Sequence, residues 1–327
     1  MNDNTTPSSL TVYQFAGLQT GPKLIVLGAV HGNETCGAVA IQKIRQDIEA
    51  GMLPIERGTL TLIPITNPLA YQNGRREGQR NLNRNMQVTA TPQDFEDHVC
   101  NVLCPMLAAH DVLLDLHSFH TPGIPFAMIG PPNNDGELEA FARADEEEDF
   151  ARSLGVHRFV EGWLDTYARG VYERQDRGVD ANINYGMGTT ETMRRMGGIG
   201  ITLECGQHED TAAPELAYAA ICKALVHLGM SSSGAPSEPG SPHQVINMYR
   251  VVDRLHPDDQ FCREWRSFEV VKQGDLIAHR KDGTGLFADQ DGWIVFPNPS
   301  AQVDQEWFYL AKLLADAALT ENLTPTD

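Results

Sequence analysis

The 327-residue chain has no long apolar segment. Its longest apolar runs, such as LIVLGAV and VLLDL, are far shorter than the roughly 20 residues with which a helix crosses a bilayer. The polar start MNDNTTPSS also lacks the basic and then apolar pattern of a secretory signal. We therefore expect a cytoplasmic protein that has no membrane partner.

Cysteine is sparse and irregularly placed. The six cysteines, at positions 36, 100, 104, 205, 222 and 262, form no CxxC pair and no dense disulfide framework. Cys100 and Cys104 could share one helix face as metal ligands. No second pair accompanies them, so we interpret them as buried, small apolar residues. Free thiols in a reducing compartment fit this pattern.

Positive charge is also scarce, because 25 basic residues face 44 acidic ones and give a formal net charge of -19. This balance excludes nucleic acid and anionic membranes as expected partners, since both need a basic footprint. A small substrate is favoured instead. The arginines are nevertheless bunched, with a group at Arg75, Arg76, Arg80 and Arg84 and a pair at Arg194 and Arg195. Guanidinium groups bind carboxylates, which indicates an anion site, although ion pairs with surface acids are an equal alternative.

Apolar runs and helix-like periodicity alternate through the first two thirds of the chain. KLIVLGAV, GTLTLIPIT, VLLDLHS, FAMIG and GGIGITLECG are typical of buried strands. Helical patterns lie between them, at 94–110 and in the acidic stretch 135–155 among others. The sequence NGRREGQRNLNRNM predicts a long loop. Together these patterns predict an α/β fold with a mostly parallel central sheet, in which ligands bind beyond the carboxyl ends of the strands.

The Ser-, Gly- and Pro-rich sequence SSSGAPSEPGSP is typical of a linker. We therefore predict a catalytic domain over residues 1–232, a linker over 233–242 and a small β-rich domain over 243–327. Short runs such as FEVV, DLIAH and WIVF, separated by turns, indicate the β structure of the last part. This domain is expected to cap the first.

Polar side chains follow three of the predicted strands where each strand ends. His31 and Glu34 follow the first, His117 ends another, and Glu204 ends a third. Two histidines and one carboxylate with an open fourth position are a known catalytic zinc set. A single histidine at a strand end is more often hydrogen-bonded than metal-bound, but three converging strand ends reverse that preference.

Two further residues near this set leave alternatives open. His120 lies three residues after His117 and is a rival ligand, although it falls after the strand has turned. Asp115 would share a strand face with His117. It could orient that histidine, or it could equally accept backbone hydrogen bonds.

Four motifs in chain order, GAVHGNETCG, NLNRNM, DLHS and TLECGQ, resemble those of the succinylglutamate desuccinylase and aspartoacylase family. The family is a deacylase branch of the zinc carboxypeptidase-like fold. The resemblance spans nearly all of residues 1–232 and implies a three-layer catalytic domain. It also implies one Zn²⁺ per chain, held by His31, Glu34 and His117.

The resemblance further implies roles for residues around the metal. Glu204 corresponds to the catalytic carboxylate, which moves a proton from water to the leaving amine. Arg76 would stabilise charge on the amide oxygen, as a second catalytic group. The substrate-binding positions of the family correspond to Asn83, Arg84 and Arg194.

The sequence departs from the family pattern at two places. Asn81 replaces the usual acidic residue before the Asn-Arg pair. A tyrosine that some members contribute from the C-terminal domain has no clear counterpart, and Tyr309 is only a weak candidate. Both departures fall where the substrate would be selected, so the acyl group and the amino acid stay open.

The resemblance thus predicts a zinc-dependent amidohydrolase that deacylates a small anionic N-acyl amino acid. The sequence leaves a homo-oligomer open as its assembly state. A metallocarboxypeptidase or cell-wall peptide amidase on the same fold is the first alternative. A non-catalytic protein that binds an acylated metabolite is the second. Retention of Glu204 counts against the second alternative, because a binding protein needs no general base.

Overall fold

The computed structural model describes residues 5–233 and 243–314. The predicted linker, residues 233–242, lies outside the described residues apart from Ser233. The strands, in chain order, are β1 (Tyr13–Ala16), β2 (Gln19–Leu27), β3 (Arg57–Ile63), β4 (Val112–Phe119), β5 (Phe126–Met128), β6 (Arg158–Glu161), β7 (Ile199–Gln207), β8 (Gln244–Asp253), β9 (Gln260–Phe261), β10 (Glu269–Val271), β11 (Leu276–His279), β12 (Gly285–Phe287), β13 (Gly292–Val295) and β14 (Glu306–Leu313).

Helices alternate with these strands up to β8. They are α1 (Cys36–Glu49), α2 (Pro68–Gln72), α3 (Phe95–Ala108), α4 (Ala144–Ser153), α5 (Trp163–Asp176), α6 (Thr189–Arg195) and α7 (Ala213–His227), with a 3₁₀ helix at Ile183–Gly186. In the part of the chain that the structure describes, no helix is long and apolar enough to cross a membrane. The helix predicted over 135–155 is wrong in its first half, because only α4 is helical and the residues before it form a loop.

The α/β prediction is confirmed by one large sheet of strand order β1-β3-β2-β4-β7-β5-β6-β8-β14-β13-β10. Its first part is mostly parallel, since β2 pairs in parallel with β3 and β4, β4 with β7, and β5 with β6. The strands after β8 pair antiparallel, so the sheet as a whole is mixed. A separate three-stranded sheet has the order β12-β11-β9.

The C-terminal strands extend the large sheet, where the sequence predicts a separate small β domain. Parallel pairing of β6 with β8, from Arg158 opposite Gln244 to Glu161 opposite Asn247, makes the junction. The edge of a sheet offers unpaired backbone N–H and C=O groups to any strand, whatever its side chains. The apolar pattern of the sequence therefore does not show which segment pairs with β6. The large sheet therefore contains strands from before and after the predicted linker.

Helices cover both faces of the first part of the sheet. One core cluster joins α1 and α7 to β2, β4 and β7, and a second joins α3 to the opposite face. Cys100 and Cys104 are fully buried free thiols in the second cluster, which confirms their interpretation as core residues. Strands covered on both faces read as continuous apolar runs, which explains why β4 and β7 were predictable.

A buried ion pair fastens α5 to the C-terminal strands. Arg174 on α5 donates to both carboxylate oxygens of Asp253 at the end of β8, at 2.9 and 2.6 Å. Arg177 donates to the same carboxylate at 2.8 Å. Because Arg174 and Asp253 are each 5% exposed, the charge of one depends on the other.

Replacing Asp253 with alanine is expected to lower the free energy of unfolding by about 3 kcal/mol, because it leaves the buried Arg174 guanidinium without its main partner. Urea denaturation measures this change. The control is Asp165→Asn, which removes the same charge from an exposed pair with Arg169 on α5 and should change stability little. Equal effects of the two substitutions would contradict the assignment of Asp253 as the fastening residue.

Candidate metal centre

The ends of β2 and β4 bring His31, Glu34 and His117 together. These strands are parallel neighbours, so the loop after β2 and the last residues of β4 lie at the same edge of the sheet. One ligand atom of each residue lies within 4.8 Å of the others, and all three side chains are buried. Within the described residues, no other His, Cys, Asp or Glu group of three or more meets this distance, and His120 is not part of it.

Gly32 allows this loop to take its path. A Cβ atom at Gly32 would lie 2.0 Å from the backbone carbon of Ala70 in α2, so any side chain there would collide with that helix. The close approach seats the loop on α2 and places His31 and Glu34 on the inner side. The HGNE sequence therefore needs its glycine for packing as well as its two polar residues for chemistry.

Glu34 is shared by both histidines. Its Oε1 lies 2.9 Å from His31 Nδ1, and its Oε2 lies 2.8 Å from His117 Nδ1. Arg76 Nη1 donates to Oε1 at 2.6 Å, and the Ser118 backbone N–H donates to Oε2 at 3.2 Å. Burial alone would raise the pKa of Glu34, but the electrostatic and hydrogen-bond interactions with His31 and His117 outweigh burial and hold this pKa well below its usual range.

The outer nitrogen of each histidine faces an oxygen. His31 Nε2 lies 3.0 Å from Asn81 Oδ1, and His117 Nε2 lies 2.9 Å from Asp115 Oδ2. Thr189 Oγ1 donates to the same Asp115 oxygen at 2.5 Å. The contact between His117 Nε2 and Asp115 lacks hydrogen-bond geometry within the described residues, so orientation of His117 by Asp115 stays a prediction. Oxygen atoms on the outer side of ligand histidines fix the ring orientation and the tautomer.

The donor set fits a transition-metal cation. His31 Nδ1 is buried and has no hydrogen bond of acceptable geometry within the described residues, although Glu34 lies close. Burial lowers the pKa of His31 to about 4, helped by the charge of Arg76, so the imidazole is neutral as a ligand must be. Two imidazoles and a carboxylate suit Zn²⁺ and similar ions.

A cavity of about 660 Å³ opens beside this set. Glu204 lines it from β7, in register with His117 on β4. The carboxylate is 7% exposed, and its Oε2 has no hydrogen-bond partner in the described part of the chain. Burial raises the pKa of Glu204 to about 8, while His117 and Arg76 oppose the rise. A buried carboxylate with a strongly shifted pKa in a cavity is a candidate acid–base group.

The bunched arginines have different environments. Arg80 is engaged by Asp94 and Asp97, so it holds the loop together as the ion-pair alternative proposed. Arg84 lines the cavity, and no carboxylate lies within 4.0 Å of its guanidinium among residues 5–233 and 243–314. Its Nη1 donates to the Asn83 carbonyl at 2.8 Å, and the guanidinium lies 4.9 Å from the ring centre of Trp163. Its remaining donors are therefore available to a ligand.

Arg194 also reaches the cavity wall but is held by carboxylates. Its Nε donates to Glu147 at 2.9 Å and its Nη1 to Glu139 at 2.8 Å, while Nη2 donates to the Gly200 carbonyl. The side chain is almost fully buried. Its contacts thus differ from those expected of a residue that binds a substrate anion, and that role stays a prediction.

Sequence analysis did not identify Trp163 or Phe296 as site residues, and it treated Tyr309 as a weak candidate. Tyr309 on β14 lines the cavity, and its buried hydroxyl has no hydrogen-bond partner within the described residues. Trp163 lies 5.6 Å from the Tyr309 ring, and Phe296 lies at 6.4 Å. The one sequence feature that could have indicated this part of the site was the tyrosine itself. The contact between β14 and α5 joins residues far apart in the chain, so no local sequence pattern predicts it.

These features define a buried two-histidine, one-carboxylate centre beside an acid–base carboxylate and an uncompensated arginine. Residues 20–144 match the family model of the succinylglutamate desuccinylase/aspartoacylase catalytic domain. The resemblance is thereby confirmed over a span that contains the first three of the four motifs. The matched span contains His31, Glu34 and His117, whereas Glu204 lies beyond it.

Solved structures share the fold over almost the whole chain. The succinylglutamate desuccinylase/aspartoacylase from Rhodobacter sphaeroides has a TM-score of 0.71 at 16% identity, covering 94% of this chain and 90% of that one. The product-bound ectoine utilization protein EutE from Ruegeria pomeroyi has a TM-score of 0.69 at 19% identity, covering 92% and 88%. Identities this low establish a common fold and leave activity open.

One curated relative is similar in sequence. The N-alpha-acetyl-L-2,4-diaminobutyric acid deacetylase of Halomonas elongata is 33% identical over 104 residues. The matched region makes up 30% of this chain and 29% of that protein, so it spans less than a third of the relative. The similarity therefore concerns one segment only.

Replacing Asp115 with asparagine is expected to weaken divalent-metal affinity by about 10-fold to 100-fold, because the amide orients His117 less well and lowers its basicity. Competition with a chromophoric chelator measures the affinity. Asp111→Asn is the matched control, since Asp111 accepts a backbone hydrogen bond from Lys23 at the start of the strand. An unchanged affinity in the Asp115 variant would show that this carboxylate does not support the metal centre.

Proposed function

We propose that the protein is a zinc-dependent deacylase that hydrolyses the amide bond of a small N-acyl amino acid, with one Zn²⁺ per chain. The buried His31, Glu34 and His117 set, with the Glu204 carboxylate in the same cavity, carries the proposal. The family match and the names of the relatives support deacylation as the reaction class.

His31, Glu34 and His117 would hold the metal. A Zn²⁺ ion held there would supply Lewis acidity, which would make the substrate carbonyl more electrophilic and water more acidic. Glu204 accepts a proton from the attacking water and then delivers it to the leaving amine nitrogen, so that one carboxylate acts first as base and then as acid. Nearby positive charge favours its ionised form, against the effect of burial.

The arginine loop supplies the remaining functions. Arg76, which already reaches Glu34, would stabilise the negative charge that develops on the amide oxygen. Asn83 and Arg84 would hold the carboxylate of the amino acid. The absence of a carboxylate near Arg84 within the described residues supports this role, because a guanidinium in a cavity gains most from a bidentate anionic ligand.

We also propose that residues 243–327 act as a cap on the catalytic part, residues 1–232. Phe296, Asn298 and Tyr309 line the cavity beside residues of the arginine loop. Lining from both parts of the chain narrows the site and favours a small substrate over a peptide. No comparable observation among the described residues supports the first alternative, a metallocarboxypeptidase or peptide amidase.

An amine-release screen tests the proposal. Zinc-loaded protein is expected to release free amine from one or more N-acetyl or N-succinyl amino acids and to leave a dipeptide panel intact. Cleavage of dipeptides in preference to acyl amino acids would instead favour the peptidase alternative. If no compound in either panel were cleaved while ligands still raised the melting temperature, a binding protein would be the better account.

Two substitutions separate metal binding from proton transfer. His117→Ala should abolish both zinc retention and turnover, because it removes a ligand. Glu204→Gln should keep stoichiometric zinc and lower kcat by about 10²-fold to 10⁴-fold, since the amide cannot carry the proton. Elemental analysis and steady-state kinetics measure the two effects. A Glu204→Gln variant with near-normal kcat would exclude Glu204 as the acid–base group.

A further inference from the structure

At one wall of the cavity, three carboxylates surround a single guanidinium, that of Arg194. Glu191 and Arg194, both on α6, line this wall together with Thr190, Thr202 and Met128. The only positive side chain in the group is Arg194. It already pairs with Glu147 at 2.9 Å and with Glu139 at 2.8 Å. The carboxylate of Glu191 is therefore additional to those that neutralise Arg194.

The position of Glu191 in the cavity wall allows its carboxylate to interact with a ligand. Its Oε2 accepts a hydrogen bond from the Gly188 backbone N–H at 3.0 Å, which fixes the side chain. Its Oε1 lies 3.9 Å from Arg194 Nη1, beyond hydrogen-bond distance. The residue is 6% exposed, so this oxygen has little bulk water to solvate it. A positively charged group in the cavity would give this oxygen a closer partner than Arg194.

Surplus negative charge at the wall is also visible in Glu139. Burial raises the pKa of this carboxyl to about 7; Arg194 lowers it, whereas Glu191 and Glu147 raise it further. A cation bound at the wall would relieve this repulsion. Independently, the buried Glu204 Oε2 and the buried Tyr309 hydroxyl both line the cavity without hydrogen-bond partners in the described part of the chain. The cavity is thus built for a polar ligand.

An anion subsite lies next to this wall. Asn83 Oδ1 accepts a hydrogen bond from the Thr189 backbone N–H at 2.8 Å, so the loop that carries Arg84 packs against α6, which carries Glu191. Arg84 has no carboxylate partner among the described residues, and Glu191 shares the single charge of Arg194 with Glu147 and Glu139. A ligand that spans both needs one carboxylate and one cationic group.

We propose that the substrate is an N-acyl amino acid with a protonated amine on its side chain, and that Glu191 is the residue that selects this amine. The inference rests on the proposed deacylase function, for which it names the substrate class. It differs from the anionic substrate that the resemblance predicts, because Arg194 is neutralised here by Glu147 and Glu139. A second substrate carboxylate would meet Glu191 and be repelled.

Binding of the amino-acid products tests this selection without requiring any cleavage. Isothermal titration of the zinc-loaded protein uses L-2,4-diaminobutyrate, L-norvaline and L-glutamate, which have cationic, neutral and anionic side chains. We expect diaminobutyrate to bind at least about tenfold more tightly than norvaline, and glutamate to bind most weakly, because a charge-assisted hydrogen bond forms only with the amine. Equal or tighter binding of norvaline or glutamate would overturn the proposal.

Glu191→Gln tests the residue itself. The amide oxygen can still accept the Gly188 N–H, so the fold should persist, and thermal unfolding checks this. We expect the preference for diaminobutyrate over norvaline to fall to about twofold or less, with norvaline affinity unchanged. Retention of the full preference in Glu191→Gln would overturn the role of Glu191.

Asp180→Asn is the matched control, because Asp180 is an exposed carboxylate that lines the same cavity. Solvent screens its charge, so the preference should stay within about twofold of the unsubstituted protein. An equal loss of preference in this variant would mean that overall cavity charge, and not Glu191, makes the selection.

The titrations and the amine-release screen together separate this inference from the deacylase proposal. If acyl amino acids are cleaved but those with anionic side chains are cleaved fastest, the deacylase proposal stands and the inference fails. If no acyl compound is cleaved, the deacylase proposal fails, and the same titrations still decide whether Glu191 selects an amine.

Discussion

The buried carboxylate of Glu34 is the group on which the rest of the site depends. Removing a carboxylate from water is costly unless it is paired, and Glu34 is paired with His31, His117 and Arg76 at 2.6 to 2.9 Å. These contacts draw the loop after β2, the end of β4 and the arginine loop to one point. The same contacts bring two imidazole nitrogens and a carboxylate together, so the interactions that stabilise Glu34 also form the candidate metal site.

Parallel pairing of β2, β4 and β7 places a further candidate functional side chain next to that centre. The register places His117 opposite Glu204, so a candidate metal ligand and an acid–base candidate lie side by side on adjacent strands. Thr189 extends the arrangement to α6 through Asp115. The metal side of the cavity is thereby linked to the wall where Glu191 lies. The proposed reaction and the proposed selection of substrate thus depend on one connected set of side chains.

Sequence analysis found what local patterns encode. Apolar runs such as those of β4 and β7 predicted buried strands, and polar residues at their ends predicted which side chains would meet. Sequence analysis could not identify contacts between residues that lie far apart in the chain. The β6–β8 junction joins residues about 85 positions apart, and the loop before α4 brings Glu139 to Arg194 across 55 positions. Tyr309 and Glu191 likewise acquire their surroundings only when the sheet and α6 are assembled.

The metal centre is the central claim, and an anomalous-difference map of crystals of the zinc-loaded protein, measured at the zinc edge, tests it most directly. The account predicts one peak per chain, about 2.0 to 2.2 Å from a nitrogen of His31, a nitrogen of His117 and an oxygen of Glu34. A peak at other residues, or no peak in zinc-loaded crystals, would contradict it.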